Sequence, residues 1–207
     1  RQLRGKTLEE TLAVGGAAGQ IRFEDLVAAD VAKKAEVVFL ALPHGVSAEM
    51  GGELRAAGKR VFDLSADFRL KDAKVYEKTY GAAHPAPARL AEAVYGLPEI
   101  HREKIKKADL VACPGCYPTT AILGLAPALR SGRVAGDGIV ISSMSGVSGA
   151  GKKVEPGYLF AECNENLRAY SVPNHRHRPE IEQELAAVAG SAVKVAFVPH
   201  LAPLNRG

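Results

Sequence analysis

The segment ACPGCYPTT at residues 112–120 places Cys113 and Cys116 at CxxC spacing, between an apolar stretch and a helical pattern. Three chemistries suit that spacing: a redox dithiol, half of a zinc site, or a single thiol nucleophile. A zinc site needs two further ligands in a compact arrangement, and Cys163 stands far away with no CxxC partner of its own. A thioredoxin-like dithiol follows the first strand of a small domain, whereas more than half of this 207-residue chain precedes Cys113. The nucleophile reading fits the surroundings better. ADLVA at 108–112 reads as a short buried strand, Pro114 and Gly115 as a turn, and Thr119 to Leu129 as a helix. A thiol at a helix start meets the positive end of the helix dipole, which favours a nucleophilic sulfur. The plain alternative for either position is an inert, buried cysteine.

A second cluster, NHRHRPE at 174–180, sets His175 and His177 at the entrance of a helix marked by Pro179 and Glu180. Two histidines one residue apart can bind a metal, but nothing of suitable spacing completes a ligand set, so no metal is expected. A histidine beside a cysteine supplies the proton transfers that a thiol mechanism requires. Arg176 and Arg178 suit a phosphate or carboxylate, and exposed arginines also occur simply on solvated faces. SGVSGAG at 145–151 has three glycines and two serines after an apolar run. Its amides could come close to an anion or a cofactor, with a flexible turn as the simpler reading. GGAAG at 15–19 follows no clear strand and lacks GxGxxG spacing, so it carries little weight as a dinucleotide site.

The elements that must position these residues have the rhythm of an open parallel sheet. EVVFLAL at 36–42 reads as a buried strand leading into Pro43, His44 and Gly45; Ser47 to Ala57 is helical, with Gly58 as its stop. KRVFDL at 59–64 is the next strand, and Ser65 to Arg69 follow its end. Ligands gather at the carboxyl ends of such strands. Lys71 to Lys107 reads as a long surface excursion with one short helix, packing Tyr76, Tyr80 and Tyr95 on the sheet and leaving His84 and His101 on the surface. GIVISSM at 138–144 and AVKVAFV at 192–198 read as strands, with a helix at 179–189 between them. The expected fold is therefore α/β: an open parallel sheet with helices on its faces, then a second, α+β domain beginning near Cys116. Cys116 would then sit at a domain boundary, where clefts form.

An apolar fraction of 47% supports an ordinary core, and no apolar run approaches the length of a membrane span. The net charge of +4, from 27 basic and 23 acidic residues, is too mild and dispersed for nucleic acid. Three cysteines without a secretory segment point to a reducing cytoplasm. Arg1 in the first position and an ending at Asn205, Arg206 and Gly207 give the look of an internal fragment.

Taken together, ALPHG at 41–45, DLSADFRL at 63–70, VYGLPE at 94–99, PGCYPT at 114–119, SGVSGAG at 145–151, HRHRPEIEQEL at 175–185 and the terminal PHLAPLNRG resemble the N-acetyl-gamma-glutamyl-phosphate reductases. These are the arginine-biosynthesis branch of the aspartate-semialdehyde dehydrogenase superfamily. The resemblance implies a partial Rossmann-type NADP-binding domain over 1–115 and an α+β catalytic and dimerisation domain over 116–207, in an NADP(H)-dependent enzyme that reduces an acyl phosphate to a semialdehyde through a thioester on Cys116. It implies His177 as the acid/base, with Glu180 orienting it and His175 as second choice. SGVSGAG (Ser145, Gly146, Ser148, Gly149, Ala150, Gly151) and the loops holding Pro43, His44, Gly45 and Ser65 would line the cofactor cleft. Arg69, Arg176 and Arg178 become candidates for the substrate's phosphate or carboxylate. A small-molecule acyl-phosphate substrate and a homo-oligomer, dimer or tetramer, follow from the same resemblance. A related lysine-pathway reductase, a CxxC redox protein and a non-catalytic assembly piece are the alternatives. The family's usual first nucleotide-binding unit is missing, and Cys113 stands where Asn is common, which raises the idea of a reversible Cys113–Cys116 disulfide.

Overall fold

In a computed structural model, residues 3–151 and 154–205 are described; the last two residues of the PHLAPLNRG match lie outside them. Three short helices come first: α1 (Leu8–Leu12), α2 (Gly16–Gly19) and α3 (Ala28–Lys34). The parallel-sheet half follows as β1 (Val37–Leu40), α4 (Val46–Ala56), β2 (Arg60–Asp63), α5 (Ala73–Tyr80), β3 (Val94–Tyr95), α6 (Pro98–Lys107) and β4 (Leu110–Ala112). The remainder is α7 (Cys116–Arg130), β5 (Ile139–Gly146), α8 (Phe160–Cys163), β6 (Arg168–Ala169), α9 (His177–Ala189) and β7 (Val195–Ala202).

The first sheet runs β1-β2-β4-β3 with every pair parallel. Its central strand β4 is buried at all three residues, as expected for a strand covered on both faces. The second sheet runs β5-β7-β6, parallel between β5 and β7 and antiparallel between β6 and β7. The α/β expectation therefore holds, with a parallel sheet and a second mixed one.

Two apolar cores form. One lies under α4 and β2, around Leu54, Val61, Phe68 and Leu110. The other gathers Ile122, Leu129, Ile181, Leu185 and Phe197 between α7, α9 and the second sheet. Tyr95 and Leu97, at the end of β3, belong to that second core, so the far edge of the first sheet is packed into the second half.

Residues 71–107 differ from expectation. They hold two helices and a strand, because Asp72 caps α5 through bonds from Lys74 N and Val75 N, and Pro98 opens α6. His84 is 6% exposed; its Nε2 meets Asp67 O at 2.8 Å and its Nδ1 accepts from Ala86 N. His101 meets Glu184 at 2.8 Å. Neither is the surface histidine expected from sequence.

Candidate active site

Backbone bonds fix the junction between β4 and α7 before any side chain acts. Cys113 N donates to Asp63 O at 2.8 Å, holding the end of β4 beside β2. The chain then passes through an extended Gly115 (φ −69°, ψ 160°), and Cys116 opens α7 as its first residue. Cys113 and Cys116 are both free thiols. Cys113 is half-buried, and burial, reinforced by Asp63, pushes its thiol up. Cys116 is exposed.

A single buried carboxylate anchors this turn. Glu180, from the first turn of α9, accepts from Gly115 N at 2.9 Å and from Tyr95 Oη at 2.7 Å, both on Oε1. Arg69 Nη1 lies 3.5 Å from its other oxygen. Burial pushes Glu180 up from the ordinary carboxylate value, and Arg69 with the two hydrogen bonds pulls it back. The sequence reading has Glu180 orienting His177; among the described residues its hydrogen bonds are to Gly115, Tyr95 and Arg69. Arg69, expected at the substrate, is also internal: Nε donates to Cys113 O at 2.7 Å and Nη2 to Leu64 O at 3.1 Å.

His177 packs directly over the same turn. A Cβ on Gly115 would stand 2.7 Å from His177 Nε2 and 2.9 Å from Arg69 Nη1, so only glycine lets the imidazole come this close to the thiol's helix start. His177 is 7% exposed, and its Nδ1 has no hydrogen-bond partner among the described residues. Burial, then His175, Arg69 and Arg176, hold it down at about 3, which leaves it neutral at pH 7. His175 is wedged among the rings of Tyr117, Tyr170 and Phe197, and its Nδ1 accepts from His177 N at 3.1 Å. Burial and Arg176 hold it at about 4. Those contacts make His175 a support for the backbone of His177.

Cys116 opens onto a cavity of about 490 Å³ whose wall includes His177, Arg176, Arg168, Asn174, Ser145 and Gly149. A second hollow of about 420 Å³ meets Cys116 from the side of Thr120, Met144 and Ser148. The SGVSGAG turn borders both, with Gly146 and Ala150 on the first and Gly151 closing it at φ 67°. Arg178 does not take part: it pairs with Glu182 one turn along α9, at 3.2 Å. Arg168 was missed by sequence reading. It comes from the two-residue strand β6, and Nη2 donates to Gly157 O at 3.3 Å. Tyr158 and Tyr170 were missed with it, since no spacing in the sequence links them to Cys116.

The loops after β1 and β2 form one buried polar hub. Asp67, fully buried, accepts from Gly45 N at 2.8 Å and Ala48 N at 2.9 Å on one oxygen and from Tyr76 Oη at 2.7 Å on the other. Asp63 accepts from Ser47 Oγ and from Ser65 N and Oγ. Pro43 O takes the amide of Ser47. The amides of Gly45 and Ala48 at the start of α4 are thus engaged by a protein carboxylate and that of Ser47 by the Pro43 carbonyl, so none of these three is free for a phosphate. The glycine turn beside Cys116 does fit a flat ring laid against the thiol, since two of its lining positions carry no side chain. Among the described residues no group of three or more His, Cys, Asp or Glu could hold a metal ion.

Two family models match the chain: the semialdehyde dehydrogenase NAD binding domain over residues 1–108 and the semialdehyde dehydrogenase dimerisation domain over 116–207. The chain belongs to the semialdehyde dehydrogenase family. Within the family it is 53% identical over 184 residues to the N-acetyl-gamma-glutamyl-phosphate reductase of Moorella thermoacetica, covering 89% of this chain and 53% of that protein. It is 45% identical to the enzyme of the same name from Rhodopirellula baltica, over all of this chain and 60% of that one. The chain thus spans roughly half of these curated relatives. Among solved structures, aspartate semialdehyde dehydrogenase II from Vibrio cholerae superposes with a TM-score of 0.65 at 15% identity, over 99% of this chain and 60% of that one. Aspartate semialdehyde dehydrogenase with NADP from Candida albicans gives 0.61 at 12% identity, over 98% and 58%. At those identities the solved structures speak for the fold alone.

Proposed function

We propose that the full protein to which this chain belongs reduces N-acetyl-L-glutamyl 5-phosphate to N-acetyl-L-glutamate 5-semialdehyde and phosphate. One observation carries the reading: the exposed Cys116 at the first position of α7, with His177 packed against the turn before it and Arg176 in the wall of the same cavity. The names of the relatives supply the substrate class.

In this reading the Cys116 sulfur forms a bond to the acyl carbon, and the carbon–oxygen bond to phosphate breaks with its electron pair leaving on the phosphate. His177 is neutral and takes the thiol's proton; a polyanion in the cavity raises its affinity for that proton. Arg168 and Arg176 offer positive charge to the leaving phosphate or to the substrate's carboxylate. Ser145, Gly146, Gly149 and Ala150 hold the cofactor against the thiol's cavity, with Ser148 and Gly151 completing the turn. NADPH, when bound, supplies the hydride that reduces the thioester. His177 then returns its proton as the semialdehyde leaves.

A division of labour between residues 1–115 and 116–207 accompanies this reading, with the thiol at the joint. A homo-oligomer accords with the dimerisation-domain match, and a cytoplasmic setting with three free thiols. No helix among the described residues is long and apolar enough to cross a membrane.

The test is NADPH oxidation by the full-length enzyme given the acyl phosphate. Cys116→Ala is expected to abolish turnover, and Cys113→Ala to keep it within about threefold, a shift well under the cost of losing a nucleophile. If wild type consumes no NADPH, or Cys116→Ala turns over normally, the reading is wrong.

A further inference from the structure

His44 sits in the loop between β1 and α4, and its ring meets Arg176, one of the residues lining the cavity. Arg176 Nη1 lies 3.1 Å from His44 Nε2, a contact between residues 132 apart in sequence. On its other side, Nδ1 is 3.7 Å from Asp67 Oδ1. Tyr80 packs against the ring with centroids 5.3 Å apart.

The chemistry of these partners fixes the tautomer. A guanidinium only donates, so Nε2 must be the accepting nitrogen and Nδ1 must carry the hydrogen. That hydrogen then points toward Asp67, whose carboxylate is locked by Gly45 N, Ala48 N and Tyr76 Oη. A contact from Ala66 N to Nδ1 at 3.4 Å would need the opposite tautomer. The shorter contact, made by a group that is always charged, decides between them. Burial and the neighbouring Arg176 hold His44 below its ordinary value, so the ring is neutral and free to accept.

Among the described residues no carboxylate pairs with Arg176, unlike Arg178, which is paired with Glu182. Its position in the cavity wall rests on a histidine that neutralises none of its charge. The guanidinium is therefore held in place while its full positive charge faces the cavity.

We propose that His44 is a positioning residue for the substrate: oriented by Asp67, it holds Arg176 toward the anionic group of the acyl-phosphate substrate rather than binding the cofactor. This rests on the reaction proposed above. It reassigns His44 from the cofactor cleft, where sequence reading had put it, and links the loop after β1 to substrate affinity.

The experiment compares His44→Phe, which keeps a ring for Tyr80 but cannot accept a hydrogen bond, with His44→Gln, which restores an acceptor. In the full-length enzyme, His44→Phe is expected to raise KM for the acyl phosphate about tenfold with kcat within about threefold, the signature of lost binding common to ground and transition states. His44→Gln recovers most of the loss. NADPH affinity, read by fluorescence titration, stays unchanged in both. In an Arg176→Ala background, His44→Phe has no further effect. A weakened NADPH affinity with unchanged KM would overturn the proposal, as would a His44→Phe effect that persists in full without Arg176. A readout independent of turnover separates this from failure of the reaction itself: imidazole ¹⁵N shifts of His44 should report hydrogen on Nδ1 in wild type, and loss of that preference in Arg176→Ala. Hydrogen on Nε2 in wild type would sink the idea even in an active enzyme.

Discussion

At the scale of single residues, Gly115 is the most constrained position near the thiol. Its Cβ has no room between His177 Nε2 and Arg69 Nη1, so Gly115→Ala must displace one of two groups packed in the interior. Overpacking of this kind costs about 1–3 kcal/mol, and the displaced group with most to lose is the imidazole. The expected outcome is a folded enzyme with kcat reduced at least about tenfold and a modest fall in melting temperature. Wild-type kcat would show that His177 does not need its present place. Glu180→Ala is expected to cost about 3 kcal/mol, because it leaves Arg69 without its anion and strips an acceptor from Gly115 and Tyr95. Denaturant unfolding checks this, and Glu180→Gln, which keeps an acceptor, should lose clearly less. The sequence reading groups Cys116, His177 and Glu180, and the structure brings the last two against Gly115, the residue before Cys116; each sits at a helix start that punctuation by Gly and Pro announces. Glu180's partners Gly115, Tyr95 and Arg69 are 65, 85 and 111 residues away, and no local pattern encodes contacts of that range.

At the scale of elements, strands with continuous apolar runs were readable, and β1, β2 and β4 lie where EVVFLAL, KRVFDL and ADLVA predicted. The elements that escaped lack such a signature. β3 and β6 have two residues each, and α6 carries few apolar residues in PEIHREKIKK, with a break at His101 (φ −118°). Helix α4 begins without a capping side chain of its own; Asp67, from the loop after β2, accepts from the amides of Gly45 and Ala48 in its stead. Asp67→Ala should therefore act as a lost cap and an unsatisfied Tyr76 hydroxyl together, about 2–4 kcal/mol by the usual cost of each. Hydrogen exchange would locate the loss at the first turn of α4; uniform destabilisation with that turn still protected would contradict the cap.

At the scale of the molecule, His175 and His177 contribute to the response to acid, and His84, lowered by burial too, acts in the same direction. Unfolded imidazoles titrate near 6.5, whereas folded His175 and His177 titrate at about 4 and about 3. Between those values the unfolded chain binds more protons, so their contribution is intact above about pH 6.5 and is lost as pH falls toward 4. Glu180, raised in the folded state, works in the opposite direction at the acid end. A Tm-against-pH series should thus fall from pH 7 to 5 in wild type and fall less in His177→Phe; parallel curves would refute the assignment. Val140 and Met144, 72% and 58% exposed on alternate residues of β5, leave one face of the second sheet uncovered. If that face meets a second copy, as the dimerisation-domain match suggests, Val140→Glu with Met144→Glu in the full-length protein should halve the mass seen by light scattering. An unchanged mass would put the interface elsewhere.

The bond from Gly115 N to Glu180 has a consequence for the protein's birth. Because its two ends lie 65 residues apart, the turn before Cys116 leaves the ribosome well before the carboxylate that anchors it. A growing chain thus carries an unframed cysteine until α9 has emerged and docked. The labelling rate of Cys116 by a bulky alkylating agent should change at the chain length where α9 first clears the exit tunnel, making the thiol a timer of assembly between the two halves.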